Sequence, residues 1–184
     1  MESKKRLYIG VHIAGFFLAA FFIYLANNMY QNFPNKIVAM FFPINYSLWE
    51  QAKLYFLPTT LVAFIEFLII GKYFKNFMVA HNIMTFFIPI IMITTYTLVD
   101  LIFPKLAEFT YTGMITGMVV LLIGWVLTYV ICSSRKRLFV YTRKSILLLL
   151  FLQILFIIFT FVQPKWEYLF FCPVNHVYGF PPLA

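Results

Sequence analysis

Few residues in this chain could do chemistry, because 63% of its 184 residues are hydrophobic and only 11% are charged. Two candidates stand inside long apolar runs. Glu66 lies about five residues before a turn carrying Lys72 and Lys75, and His81 follows that turn at a comparable distance. In an antiparallel helix pair the two would share a depth, which predicts a Glu66–His81 contact with Asn82 nearby. An ionisable side chain at the centre of a membrane span costs about 2.5–3.5 kcal/mol on insertion scales, so each needs a partner or a route to water. The simpler alternatives are a carboxylate that snorkels toward the surface or is held neutral by burial. Thr59, two turns before Glu66, shares its face.

A second group gathers around PINYSLWEQAK, Pro43 to Lys53. Ser47 and Glu50 have the spacing of a capping box, in which the serine hydroxyl meets an orphan N–H and the carboxylate reaches back. Pro43 and Asn45 suit the turn that leads in. Trp49 then falls at a membrane interface, where indole is favoured, and Lys53 either snorkels to headgroups or pairs with Glu50 at i+3. Every polar residue of the stretch thus has a structural role. A sharper reading joins Trp49, Glu50 and Lys53 with Asp100 and the tail residues Asn175, His176 and Tyr178 in one outer-facing polar pocket. Asp100 is equally a solvated acid near Pro104 and Lys105.

The elements that must position these residues are membrane helices. Hydrophobic runs of about 20 residues match a hydrocarbon core of about 30 Å. Backbone groups in lipid must be satisfied within the segment, and the runs lack the alternation of barrel strands. The fold class is therefore all-α, a single domain of five transmembrane helices near 7–26, 48–71, 79–101, 109–132 and 145–162, with a tail over 163–184. A short apolar piece, 37–42, cannot cross and is stopped by Pro43. The first run follows Lys4, Lys5 and Arg6 as a signal peptide would. It is longer than a usual leader core, and Tyr24-Leu25-Ala26 is a poor cleavage site, so retention is expected.

With the N-terminus cytoplasmic, inner segments hold Lys4, Lys5, Arg6, Lys72, Lys75, Arg135, Lys136, Arg137, Arg143 and Lys144, most of the 14 basic residues. This bias predicts the N-terminus inside and the tail outside. The net charge of +8 is then a topology signal and not a nucleic-acid footprint. The run Arg135 to Lys144 is expected to contact anionic inner-leaflet lipids. Cys132 and Cys172 fall on opposite faces, which excludes an intramolecular disulfide and a cysteine-based metal site. Gly113, Gly117 and Gly124 share a face for close helix packing, inside the bundle or along a homodimer seam. Pro58 and Pro89 are expected to kink their helices. Phosphate-loop, zinc-protease and nucleophile-elbow motifs are absent, and no cofactor or metal site is expected.

The order Pro43-Ile44-Asn45-Tyr46-Ser47-Leu48-Trp49-Glu50-Gln51-Ala52-Lys53-Leu54 resembles the P-V-N-E-S-V-W-E-H-x-K-L signature of a family of small bacterial integral membrane proteins of unknown function. The ending, Phe159-Thr160-Phe161, Pro164-Lys165, Leu169-Phe170, Pro173 and Tyr178-Gly179-Phe180, is similar to that family's F-T-F…P-P…P-L-F…D-P…Y-G-I tail. The resemblance covers nearly the whole chain and implies a membrane fold with no assigned activity. Tyr46, Gln51 and Cys172 stand where that family usually has Glu, His and Asp. A site built on those three would be lost here.

These readings lead to a non-enzymatic multi-pass protein of the bacterial cytoplasmic membrane whose outer face binds a lipid, a small molecule or a protein partner. The alternatives are a small ion- or proton-coupled transporter using Glu66 and Asp100, and a membrane hydrolase using Glu50, Asp100 and His176.

Overall fold

The computed structural model describes residues 2–103, 112–174 and 176–180. The chain is all-α apart from one small hairpin. Five helices are long and apolar enough to cross a membrane, as in a multi-pass membrane protein. These are α1 (Glu2–Asn27), α4 (Leu48–Ile70), α5 (Phe77–Ile102), α6 (Thr112–Cys132) and α7 (Thr142–Phe161). Among the described residues there are also short helices α2 (Met29–Asn32), α3 (Lys36–Phe41) and α8 (Glu167–Phe170). Strands β1 (Phe171–Cys172) and β2 (Val177–Tyr178) pair antiparallel within the tail. The expected beginning of the fourth span at 109, together with Pro104, Lys105 and Asn175, lies outside the described residues.

Helix α5 occupies the middle, packing on α4, α6 and α7, while α1 lies against α4 and α6. The α1 run is an integral part of the bundle: Ala19, Ile23 and Ala26 join Val62, Ile88, Leu121 and Trp125 in the main apolar core. Its other face exposes Phe17, Phe21 and Tyr24, as expected for a surface solvated by acyl chains. Both Pro58 and Pro89 sit inside continuous helices. Next to Pro58, the Thr59 hydroxyl donates to the carbonyls of Tyr55 (2.7 Å) and Phe56 (3.0 Å), and Thr60 also donates to Phe56 (2.8 Å).

The three glycines pack against helices of the same bundle. A Cβ at Gly117 would overlap the Tyr55 hydroxyl, one at Gly124 would press on Ile88 at 2.9 Å, and one at Gly113 would touch the Tyr96 ring at 3.6 Å. Small residues here let α6 approach α4 and α5. Between α4 and α5 the chain turns through a short 3-10 segment, Gly71–Tyr73. After it, Asn76 is buried and saturated. Its amide donates to the carbonyls of Ser134 and Lys136, and its carbonyl accepts from the N–H groups of Leu138 and Phe139. One side chain therefore shapes the basic connection between α6 and α7.

Candidate functional site

The α4 start is a closed polar cluster. Ser47 is the N-cap, and its hydroxyl accepts from the Glu50 N–H at 3.4 Å. Only that half of the expected capping box forms. The Ser47 N–H donates instead to Asn45 Oδ1 (2.8 Å), and the Glu50 carboxylate accepts from the Ile44 N–H (3.1 Å). Lys53 lies 2.6 Å from Glu50, with both side chains buried. Its ammonium also donates to the Ala39 carbonyl on α3 (2.8 Å) and to Thr160 Oγ1 on α7 (2.9 Å). Of the two expected roles for Lys53, snorkelling to headgroups is replaced by the ion pair, because α3 and α7 close over it.

Trp49 is likewise buried and not an interfacial anchor: its ring packs among Phe156, Phe159 and Phe170 at centroid distances of 5.0–5.5 Å. The tail folds back here, through the Phe170 ring and, further on, through the backbone of Gly179. Asn45 donates to the Gly179 carbonyl (2.7 Å), and the Gly179 N–H donates to Gln163 (2.6 Å). Gly179 has φ of +78°, a backbone conformation that favours glycine. His176 and Tyr178 are exposed in the hairpin, and Asp100 is half-buried at the end of α5. Among the described residues, no hydrogen bond or ion pair joins Asp100, His176 or Tyr178 to Glu50 or Lys53. The expected outer pocket and the hydrolase set are therefore not assembled by direct contact. The Glu50 and Lys53 head groups are occupied with structural partners.

The residues that do converge are at the other end of α4. Glu66 Oε2 lies 3.4 Å from His81 Nε2 on α5 and 3.0 Å from His12 Nδ1 on α1. All three residues are buried, and one donor atom from each falls within 4.8 Å of the others. Asn82 points elsewhere, donating to Ser145 on α7 at 3.1 Å. Thr59 is engaged with its own helix and contributes no bond to Glu66.

His12 is held by a reciprocal lock. Its Nε2 lies 2.9 Å from the Trp125 carbonyl on α6, and the Trp125 indole N–H donates to the His12 carbonyl at 2.8 Å. The indole also stacks on the imidazole, with centroids 5.3 Å apart. A carbonyl can only accept, so Nε2 carries a proton and Nδ1 faces Glu66. The proton between His12 Nδ1 and Glu66 Oε2 can then reside on either atom, giving an ion pair or a neutral pair with the same heavy-atom geometry. At this centre Glu66 Oε1 and His81 Nε2 are buried without a hydrogen-bond partner, as are the Tyr8 hydroxyl beside it and, elsewhere, Trp49 Nε1 and Gln163 Nε2. Gly15, one turn beyond His12, makes room for the carboxylate, since a Cβ there would overlap Glu66 Oε1.

An aromatic plug separates this centre from the nearby end of the bundle. Tyr8 stacks on His12 (5.2 Å), Phe74 (4.6 Å) and Tyr129 (5.4 Å), and its hydroxyl adjoins the Cys132 thiol. Beyond the plug is an open cavity of about 920 Å³ lined by Phe74, Cys132, Lys75, Arg135, Lys136 and Arg137 among others. The sequence reading missed His12. The signal was present, because an imidazole inside an apolar span has the same need for a partner as Glu66 or His81. The expectation of no metal-ligating set rested on the cysteines and so overlooked this donor trio.

Compared with protein-family models, curated proteins and solved structures, the chain matches none.

Proposed function

We propose that this is a small ion- or proton-coupled transporter whose coupling group is Glu66. The observation that carries the reading is a carboxylate, 1% exposed within an apolar span, that shares a proton position with one imidazole and faces a second. A buried ionisable group in a membrane helix marks an ion or proton pathway more often than a structural contact, because simpler apolar packing costs less. The open cavity shares Phe74 and Cys132 with the aromatic plug, and Tyr8 and Phe74 stand where a gate would stand. Asp100, also invoked for transport, has no comparable setting and is left out of the coupling group.

The supporting topology has the N-terminus and the basic connection inside and the tail outside, in the cytoplasmic membrane of a bacterium, following the positive-inside rule. Arg135, Lys136, Arg137, Arg143 and Lys144 are exposed and suit anionic headgroups. The P-V-N-E-S-V-W-E-H-x-K-L-like segment is consistent with membership of the small bacterial family it resembles. Here that segment serves to close one end of the bundle. The exposed tail hairpin leaves the outer-face binding of a lipid, a small molecule or a protein partner as a second, non-enzymatic reading.

Reconstitution into liposomes loaded with a pH-sensitive dye tests the transport reading. Under an imposed membrane potential the wild-type protein is expected to pass protons, and Glu66→Gln to stop the flux while keeping its elution profile and helix content. Equal flux through both proteins removes Glu66 as the coupling group.

A further inference from the structure

We propose that His12, Glu66 and His81 form a binding site for a divalent d-block metal ion of the zinc class, which exchanges there for a proton. The inference rests on the same three residues as the transport reading and names the ion that would compete with the proton.

The donor set is two imidazole nitrogens and one carboxylate oxygen, each from a different helix. Imidazole favours zinc, iron, nickel and copper, whereas magnesium and calcium favour shells made of oxygen. At metal–ligand distances of about 2.0–2.1 Å, the edges of a tetrahedral site are about 3.3 Å long. Two of the three edges here are already 3.0 and 3.4 Å, and the third is within 4.8 Å.

The surroundings point the same way. Metal-binding histidines typically donate their second N–H to a carbonyl or carboxylate, which fixes the tautomer and aims the free nitrogen. The Trp125 carbonyl holds His12 in that way, leaving Nδ1 toward Glu66. Both orphaned atoms would gain a partner: His81 Nε2 as a ligand, and Glu66 Oε1 as the second oxygen of a bidentate carboxylate or as acceptor from a metal-bound water. An unsatisfied buried polar group costs about 1–3 kcal/mol, so a site with two of them favours an occupant. Gly15 lets the Glu66 carboxylate lie against α1, within reach of His12, because a Cβ there would overlap Oε1.

The exchange balances. Ligation needs Nδ1 of His12 and Oε2 of Glu66 unprotonated, so the proton they share leaves as the metal ion binds, and returns when it departs. One positive charge then remains on the centre for each divalent ion bound. A hydroxide or other anion at the open coordination position would offset it.

The test uses full-length protein in nanodiscs, stripped with a chelator and titrated with Co2+ as a spectroscopic probe. Wild type is expected to bind a single Co2+ per chain with intense visible bands of a low-coordinate site. No thiolate charge-transfer band is expected, and Zn2+ should displace the probe. His81→Gln is expected to weaken binding by at least about 10- to 100-fold, a range already reached by loss of outer-shell partners. Phe21→Leu, on the exposed face of α1, leaves all three donors and the Trp125 contacts to His12 in place, so it serves as the folding control and is expected to retain the Co2+ spectrum. Absence of the visible bands in wild type, or bands unchanged in both His81→Gln and Glu66→Gln, overturns the assignment. Glu66-dependent proton flux without a Co2+ spectrum rejects the metal ion alone. A Co2+ spectrum without flux rejects transport alone and leaves the metal site standing.

Discussion

Replacing Lys53 with methionine isolates what the closed polar cluster at the α4 start contributes. The substitution keeps most of the stem volume and removes the ammonium. Three contacts disappear together: 2.6 Å to Glu50, 2.8 Å to the Ala39 carbonyl and 2.9 Å to Thr160 Oγ1. Glu50 remains enclosed, with the Ile44 N–H and the Thr160 hydroxyl as its remaining donors. The Thr160 hydroxyl also contacts the Phe156 carbonyl at 2.8 Å and has one proton to give. Removing one partner of a buried pair costs about 3–5 kcal/mol, because the other charge stays buried and underpaired. Lys53→Met is therefore expected to lose about that much stability. Adding Glu50→Gln to it should recover part of the loss, since the amide can still accept from Ile44 and carries no charge. Equilibrium unfolding in mixed micelles, carried through the full double-mutant cycle, reads both quantities. A Lys53→Met cost below about 1 kcal/mol, the range of solvated surface pairs, would refute the idea that this pair is sealed from water.

Three further perturbations probe other parts of the molecule. Gly15→Ala drives a methyl into Glu66 Oε1 and is expected to destabilise by about 1–3 kcal/mol, as overpacking does. It should also displace the carboxylate from His12, and micelle unfolding together with histidine NMR shifts checks both effects. Asn76→Ala removes four hydrogen bonds to the basic connection. At about 0.5–1.5 kcal/mol net per bond, it should expose residues 134–139 to trypsin well before the helices unfold, whereas an unchanged digestion pattern would show that the loop holds itself. Trp125→Phe deletes one hydrogen bond but keeps an aromatic ring against His12, so a loss of about 1 kcal/mol is expected by the same unfolding assay.

The five spans were legible because length and apolarity decide membrane crossing without reference to partners. Glu66 and His81 were legible as a pair because an antiparallel turn equates their depths. His12 was not, since the turn argument needs two helices joined by a tight turn, and α1 packs on α4 with α2 and α3 intervening in the chain. At the α4 start the Ser47 cap and the Glu50–Lys53 pair were legible, but the enclosure of Lys53 was not, for a related reason. Lys53 looks interfacial when α4 is viewed alone, and nothing local shows that α3, too short to cross, lies over it with Asn35 capping its start. Gln153 on α7 adds a bond to the Met40 carbonyl of α3 at 3.2 Å. Such contacts depend on pairings far apart in sequence, which no local pattern encodes. The aromatic rings of the tail were legible as aromatic, but the backbone of Gly179 and not the side chain of His176 or Tyr178 makes the connection to Asn45.

The His12–Glu66 contact also orders events during synthesis. Helix α1 precedes α4 in the chain, so His12 is made before Glu66, and this buried carboxylate follows with a partner waiting. Glu50 and Lys53 travel together on one helix and neutralise each other on arrival. Thr160 reaches them only when the last span is made. Helix α7, the last of the five spans in the chain, thus closes on contacts already made between earlier helices.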